Sequence, residues 1–572
     1  MAPPYWALLE RELIRTQSAA CEEFFDHYFD ERGYLLCVPR WGGNDGPDDA
    51  AENVLNWTML HALGAPDRVL SLYKKGWEGH LRQYTEARTV EVPFARDGMY
   101  YKEFPSIFDW FHHGEGFSAF FLQGLSDPGD RALIQRTRRF AGLYMAEDPQ
   151  APNYDPEHRV IRSMLNGSRG PLLRKATALD WAGDPIEVEG RFRPLHRERS
   201  YEEMLEHFKD YTDVVGDNPL NLGATTLALN AYALTGEKKY RDWLVGYADT
   251  WVERTVANGG IIPSNVGLDG TIGGAADGKW YGGVYGWGFT VSVVPYTGAV
   301  AHRGACNDRA VYGFGNALLL TGDQTYLNVW REMFERVNAN AQVKDGQTVY
   351  PHMYGDAGWY DFQTKKCAPG ALELYYWSMD REVLDYLPTK PRWIAFLHGE
   401  DSAYPVEALQ NDLAALRRRV DEMRHDPTTP DTRLSDDPNH LNPAITETLT
   451  ELMLGGLPTG RNGYPLHCRL RYFDPDGQRA GVPEDVAALV EKLTADSVTV
   501  TLVNTNPLQS RRVVVQGGAF AEHQILDLRV GDQTTPIDRS QVTIHLGPGT
   551  GSQLTLRTRR YANQPTFAFP WD

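Results

Sequence analysis

The sequence predicts a mainly α chain with a β domain: an (α/α)6-type helical toroid over residues 1–457, then a C-terminal antiparallel β-sandwich over residues 458–572. Three observations carry this expectation. Helical stretches that are apolar nearly all round recur along the first part, as in Leu222-Gly223-Ala224-Thr225-Thr226-Leu227-Ala228-Leu229. Charged amphipathic stretches, such as 238–257 and 326–339, alternate with them, so an inner helix layer backed by an outer one is expected. After about Pro458 the pattern changes to short β-branched or alternating runs separated by turn residues.

In chain order, residues 5–32 carry helical spacing (Trp6, Leu9, Leu13, Phe24, Phe25, Tyr28), which Gly33 closes. A Gly/Pro/Asp loop at 39–49 leads into a helix expected over 50–63, with Asp48 or Asp49 as N-cap and Glu52 in its first turn. The same grammar of polar loop, apolar helix and glycine stop returns before helices at 117–125, 220–234, 309–320, 371–378 and 444–454, which makes six inner candidates. Their spacing is irregular, so a fixed-repeat solenoid is not expected. A charged helix and a Pro/Asp/Thr linker fill 401–437. Strands are expected at 464–473, 497–504, 511–516, 523–530, 542–546 and 553–557.

Charge and composition narrow the function. With 57 basic and 76 acidic residues the formal charge is −19, so the electrostatic footprint of a nucleic-acid binder is missing. No run of 18 apolar residues occurs, so no membrane span is expected. The first fifteen residues lack an uninterrupted apolar core, which predicts a cytoplasmic protein, or a periplasmic or secreted one whose leader has been removed. Five scattered cysteines without CxxC spacing argue against a disulfide framework or a cysteine zinc site. Phosphate-binding glycine motifs and GxSxG are absent.

Titratable residues concentrate in the loops that precede the inner helices. The densest is Asp109-Trp110-Phe111-His112-His113-Gly114-Glu115, whose two imidazoles and two acids suit acid–base chemistry. The same residues also suit a pinned buried turn, with Glu115 opening a helix. Asp45 and Asp48 stand in the first loop. A glycine-rich loop at 273–288 brings Lys279, Trp280, Tyr281, Tyr285 and Trp287, and a further loop at 350–360 brings Tyr354 and Trp359. Arg169, in Asn166-Gly167-Ser168-Arg169-Gly170, is a candidate for holding a carboxylate. The acids of the first loop lack the spacing of a calcium loop, and HxxxH is absent, so neither a metal nor another cofactor is expected.

This layout resembles the six-hairpin glycosidases and the toroid-plus-β-sandwich polysaccharide lyases, including heparinase II/III-like enzymes. The resemblance implies a carbohydrate substrate and leaves two mechanisms. In β-elimination on a uronic acid, His112, His113, Tyr281, Tyr285, Glu115 and Asp109 would handle the protons and charge. Asp45, Asp48, Arg169, Lys279, Trp280, Trp287, Tyr354 and Trp359 would then hold the sugar. In inverting hydrolysis, two of Asp45, Asp48, Asp109 and Glu115 would flank the bond. Elimination is the favoured expectation, because hydrolysis has less need of paired imidazoles and a tyrosine-rich loop. A non-catalytic glycan-binding protein is the remaining alternative.

Overall fold

The computed structural model describes residues 3–39, 46–88, 95–176, 214–283, 285–288, 290–293, 300–302, 308–460 and 462–572. Within them the chain is mainly α-helical up to Leu454 and antiparallel β from Leu470 onward. No described helix is long and apolar enough to cross a membrane.

Helix α1 (Tyr5–Tyr28) buries Leu9, Leu13, Phe24, Phe25 and Tyr28 along one stripe, as its periodicity predicts. Its exit turn carries Gly33, at φ +78°, flat across helix α2 (Asp67–Glu86). A Cβ on Gly79 of α2 would stand 2.0 Å from the Gly33 carbonyl oxygen, so two backbones touch there.

The helix expected over 50–63 is two helices. Helix α3 (Pro47–Glu52) starts behind Gly46, whose N–H is accepted by Asp49 Oδ2 at 3.0 Å. Asp48 and Asp49 are therefore first-turn residues and neither is the N-cap. Asn56, at φ +66°, breaks the path before helix α4 (Trp57–Leu63), a left-handed conformation that asparagine tolerates better than most residues. Helix α5 (Trp110–Leu122) begins seven residues before the expected Phe117, with Asp109 as its N-cap.

The middle of the chain alternates as expected. Apolar α6 (Thr225–Thr235) and α7 (Val311–Thr321) pack on each other, and Asn316 donates to the hydroxyls of Thr225 and Thr226 at 2.9 and 3.1 Å. Amphipathic α8 (Lys238–Ala257) and α9 (Thr325–Asn338) lie against them. The 350–360 segment, expected as a loop, is a hairpin of β1 (Gln347–Gly355) and β2 (Gly358–Gln363) with Tyr354 opposite Trp359. Alternating buried and half-buried positions along β1 mark it as a strand.

The C-terminal region holds two antiparallel sheets. One has the order β4–β3–β7–β10, from β3 (Leu470–Asp474), β4 (Arg479–Ala480), β7 (Arg511–Gly517) and β10 (Gln541–Leu546). The other runs β5–β6–β11–β8–β9, from β5 (Val486–Leu493), β6 (Ser497–Asn504), β8 (Gln524–Val530), β9 (Gln533–Arg539) and β11 (Gly551–Arg559). The sequence reading missed the two-residue β4, and also β5 and β9. Strand β5 is apolar on both faces because α1 and the helix Glu447–Leu454 pack on it, so its pattern does not alternate. Strand β9 is an exposed edge interrupted by Pro536, a composition that resembles a loop.

Glu10 of α1 closes the free edge of β5. Its Oε1 accepts the Ala488 N–H at 3.0 Å, while Oε2 is buried without a hydrogen-bond partner. Burial pushes the carboxyl up to about 8, against the pull of Arg11. A folded-state pKa above the unfolded one means that Glu10 supports the fold below its ordinary value near 4.5, and that this support is lost as pH rises toward 8. Glu10→Gln keeps an acceptor for Ala488 and removes the ionisation. The variant is expected to be more stable than the parent by about 3 kcal/mol at neutral pH and equal to it near pH 4. Urea unfolding of both proteins across that range checks this, and a difference that does not change with pH would refute it.

Candidate active site

Helices α3 and α5 bring the acids of two separate loops to one place. The two helices meet at Gly116 of α5, where a Cβ would lie 3.4 Å from the Asp48 Cα, an ordinary van der Waals contact. Asp109, wholly buried, ties down the start of α5: its Oδ1 accepts from the backbone N–H of Phe111 at 2.8 Å and of His112 at 3.0 Å. The same oxygen meets His112 Nδ1 at 2.9 Å. His112 and Glu115 are three residues apart on one helix face and point toward Asp48. One ligand-type atom from each of Asp48, His112 and Glu115 lies within 4.8 Å of the others.

Two further groups complete the cluster. Arg309, just ahead of α7, donates to the Phe111 carbonyl at 2.8 Å and to Glu115 Oε1 at 3.3 Å, with its guanidinium 3.6 Å over the Phe111 ring. Tyr285 stacks on Phe111 with ring centroids 5.7 Å apart and 3° between planes. Its hydroxyl donates to Asp109 Oδ2 at 3.5 Å.

The electrostatics follow from this crowding. Burial lifts the Asp48 carboxyl to about 7; Glu115 and Asp109 add to the rise and His112 opposes it. Asp49 is also held well above the usual carboxylate range, first by burial and then by Asp48, Asp436 and Glu52. Burial alone would depress His112, but Asp109, Asp48 and Glu115 outweigh it and raise the imidazole to about 9. Asp109 is held below its ordinary value despite burial, because His112 faces it.

The structure therefore brings together Asp48, Asp109, His112, Glu115 and Tyr285. Other sequence candidates fall elsewhere. His113 is in the core, between Phe104 and Trp110 at ring distances of 4.9 and 5.0 Å. Its Nε2 bonds the Asn166 carbonyl at 2.9 Å, and burial depresses it to about 4, so it pins the helix and stays neutral. Trp287 is also core, with its indole N–H on the Ile262 carbonyl at 3.0 Å. Arg169 lies on the surface, 3.7 Å over the Tyr101 ring. Lys279 and Tyr281 both engage the exposed Asp356, at 2.8 and 2.5 Å, rather than the acids of α3 and α5. Asp45 lies outside the described residues.

Trp280, Tyr354 and Trp359 are half-buried and form a continuous aromatic edge, with centroids 4.7 and 5.0 Å apart along the chain of contacts. Such an edge offers flat faces to a sugar ring. The Gly216-Asp217-Asn218 loop, similar in sequence to the acidic loops, is a structural staple. Asp217 is fully partnered, by Arg254 at 3.2 Å, Tyr247 at 3.0 Å and the Ile161 N–H at 3.0 Å.

One contact joins the site to the C-terminal region. Gly114, between His113 and Glu115, has no room for a Cβ, which would stand 2.6 Å from the Asn462 carbonyl oxygen. The next residue, Gly463, donates its N–H to Ser118 Oγ at 2.8 Å.

Sequence reasoning missed Arg309. The polar loop in front of α7 was visible, but a single arginine beside it carries no pattern, and only the fold shows that it meets Glu115.

Fold and site together define a mainly α protein with a C-terminal β region and an acid–imidazole–arginine cluster at the start of two apolar helices. The chain belongs to a family described as a domain of unknown function (DUF8034), whose model matches residues 1–389 and 385–450. No curated protein matches it.

Proposed function

We propose that this chain is a carbohydrate-active enzyme that cleaves a uronic-acid-containing glycan by β-elimination, with its helices forming an (α/α)6-type toroid whose mouth is the cluster around His112. The observation that carries the reading is the position of Tyr285. Its buried hydroxyl bonds Asp109, and its ring rests on Phe111 beside Arg309.

In the proposed step Asp109 positions Tyr285 through its hydroxyl, and Tyr285, entering as its phenolate beside Arg309, takes the C5 proton of the uronate. The C4–O bond breaks as the C4=C5 double bond forms. The proton then passes from Tyr285 to the departing O4, which regenerates the phenolate. Arg309 and His112 face the uronate carboxylate and stabilise the charge that builds on it as the C5 proton leaves. The aromatic edge of Trp280, Tyr354 and Trp359 carries neighbouring sugar units.

A second reading has one observation behind it. Asp48 and Glu115 each place an oxygen within 4.8 Å of the other. That limit falls short of the roughly 6.5–9.5 Å that inversion needs. This pair therefore does not suit the inverting route of hydrolysis.

Digestion of a panel of uronate glycans in heavy-oxygen water separates the two readings. Elimination gives a product lighter by one water, with a new ultraviolet absorbance and no heavy oxygen. Heavy oxygen in the new reducing end would overturn it in favour of hydrolysis.

A further inference from the structure

We propose that Asp48, His112 and Glu115 bind a divalent cation that accepts imidazole and carboxylate ligands together, of the Mn²⁺ or Zn²⁺ type. Their ligand atoms already lie within 4.8 Å of one another, on two helices held together at Gly116. A dication with bonds of about 2.1 Å keeps neighbouring ligands roughly 3–3.5 Å apart, so side-chain movements of about 1 Å complete the set.

Three independent features point to a cation. Asp48 is only 5% exposed, and its carboxylate accepts from its own backbone N–H and faces His112 across the cluster. A buried carboxylate with so few donors is costly unless a positive charge meets it, a task a bound cation would share with or take over from His112. Asp109 holds His112 through Nδ1, which leaves Nε2 as the nitrogen for a ligand bond; a carboxylate behind the far nitrogen is how metal-binding imidazoles are oriented. Arg309 takes Oε1 of Glu115, which leaves Oε2 for a ligand bond. The charges also balance. With His112 neutral, the carboxylates of Asp48, Asp109 and Glu115 against Arg309 leave two negative charges, the complement of one dication.

The donor set chooses the metal class. A single imidazole with two carboxylates is harder than a thiolate site and softer than an all-oxygen cage, which favours manganese or zinc over calcium. If the elimination reading holds, the ion sits where the uronate carboxylate arrives and takes over from the His112 proton the task of neutralising it. That role rests on the proposed function; the binding itself does not.

The test reads binding rather than turnover. The full-length protein is stripped with a chelator, then titrated with Mn²⁺ followed by the electron paramagnetic resonance of the free ion, and with Zn²⁺ by calorimetry. One site per chain is expected. Asp48→Asn and Glu115→Gln should each weaken it at least about 100-fold with an unchanged circular dichroism spectrum. Asp356→Asn, which alters an exposed carboxylate, should bind as the parent does. If Asp48→Asn does not fold, Glu115→Gln, on a more accessible side chain, decides. Absence of binding by the parent up to about 1 mM of either ion, or equal affinity in the folded variants, overturns the proposal. Metal binding without elimination would sink only the reaction, and elimination without metal binding would sink only the site.

Discussion

His112→Ala is expected to lower kcat by about 10³-fold or more on the uronate glycan identified by the digest, while the protein stays folded. The fold survives because α5 keeps its N-cap: the backbone N–H groups of residues 111 and 112 still donate to Asp109. What disappears is the imidazole that faces Asp48 and Glu115. The neighbouring His113→Ala should behave in the opposite way. It removes a core ring that bonds Asn166 and packs on Phe104, so it should cost about 2–4 kcal/mol of stability, with kcat of the folded fraction close to that of the parent. Measuring kcat and the denaturation midpoint of both variants checks the pair. Full activity in His112→Ala, or a normal midpoint with lost activity in His113→Ala, would show that the wrong imidazole has been placed at the site.

Gly79→Ala should destabilise the protein by about 3 kcal/mol or more. Alanine gains about 1 kcal/mol of helix propensity over glycine in a helix interior, so propensity alone predicts stabilisation. The geometry reverses the sign. The new methyl would stand 2.0 Å from the Gly33 carbonyl oxygen and 2.2 Å from its carbon, and both are backbone atoms with no rotamer to yield. Gly33 cannot withdraw freely either, since a Cβ at its own position would already meet the Lys75 carbonyl at 2.2 Å. Relief requires α1 and α2 to separate, which opens the packing of Phe25 on Gly76 and Lys75 of α2. A denaturation midpoint equal to or above the parent's would mean that this crossing is looser than described.

Much of the fold was legible because periodicity and punctuation agree. Helix α8 over Lys238–Ala257 and strand β6 over Ser497–Asn504 follow the boundaries that their patterns suggest. The errors share a physical cause, a neighbour that the local sequence does not reveal. Strand β5 does not alternate because helices cover its second face, and Asn56 splits a helix through one backbone angle. At the site, the run of acids and imidazoles from Asp109 to Glu115 was readable, but not that Asp109 is the N-cap of α5. Which of two adjacent imidazoles turns outward was not, because that depends on Asn166 and Phe104 waiting on the other side of the helix. That Asp48 would share a site with the 109–115 acids was expected from the loops; that Asp48, His112 and Glu115 are the groups that meet was not, since they come from different helices and match no spacing rule.

The contact between Gly114 and the Asn462–Gly463 segment bears on the order in which the molecule is made. Chains generally fold from the N-terminus as they leave the ribosome. Helix α5 is synthesised early, but the backbone that rests on its Gly114 face and bonds Ser118 arrives hundreds of residues later. A nascent chain that has released every helix still has that face of α5 bare. The site is therefore finished late in synthesis, when the segment leading into the sheets closes over the helix that carries His112.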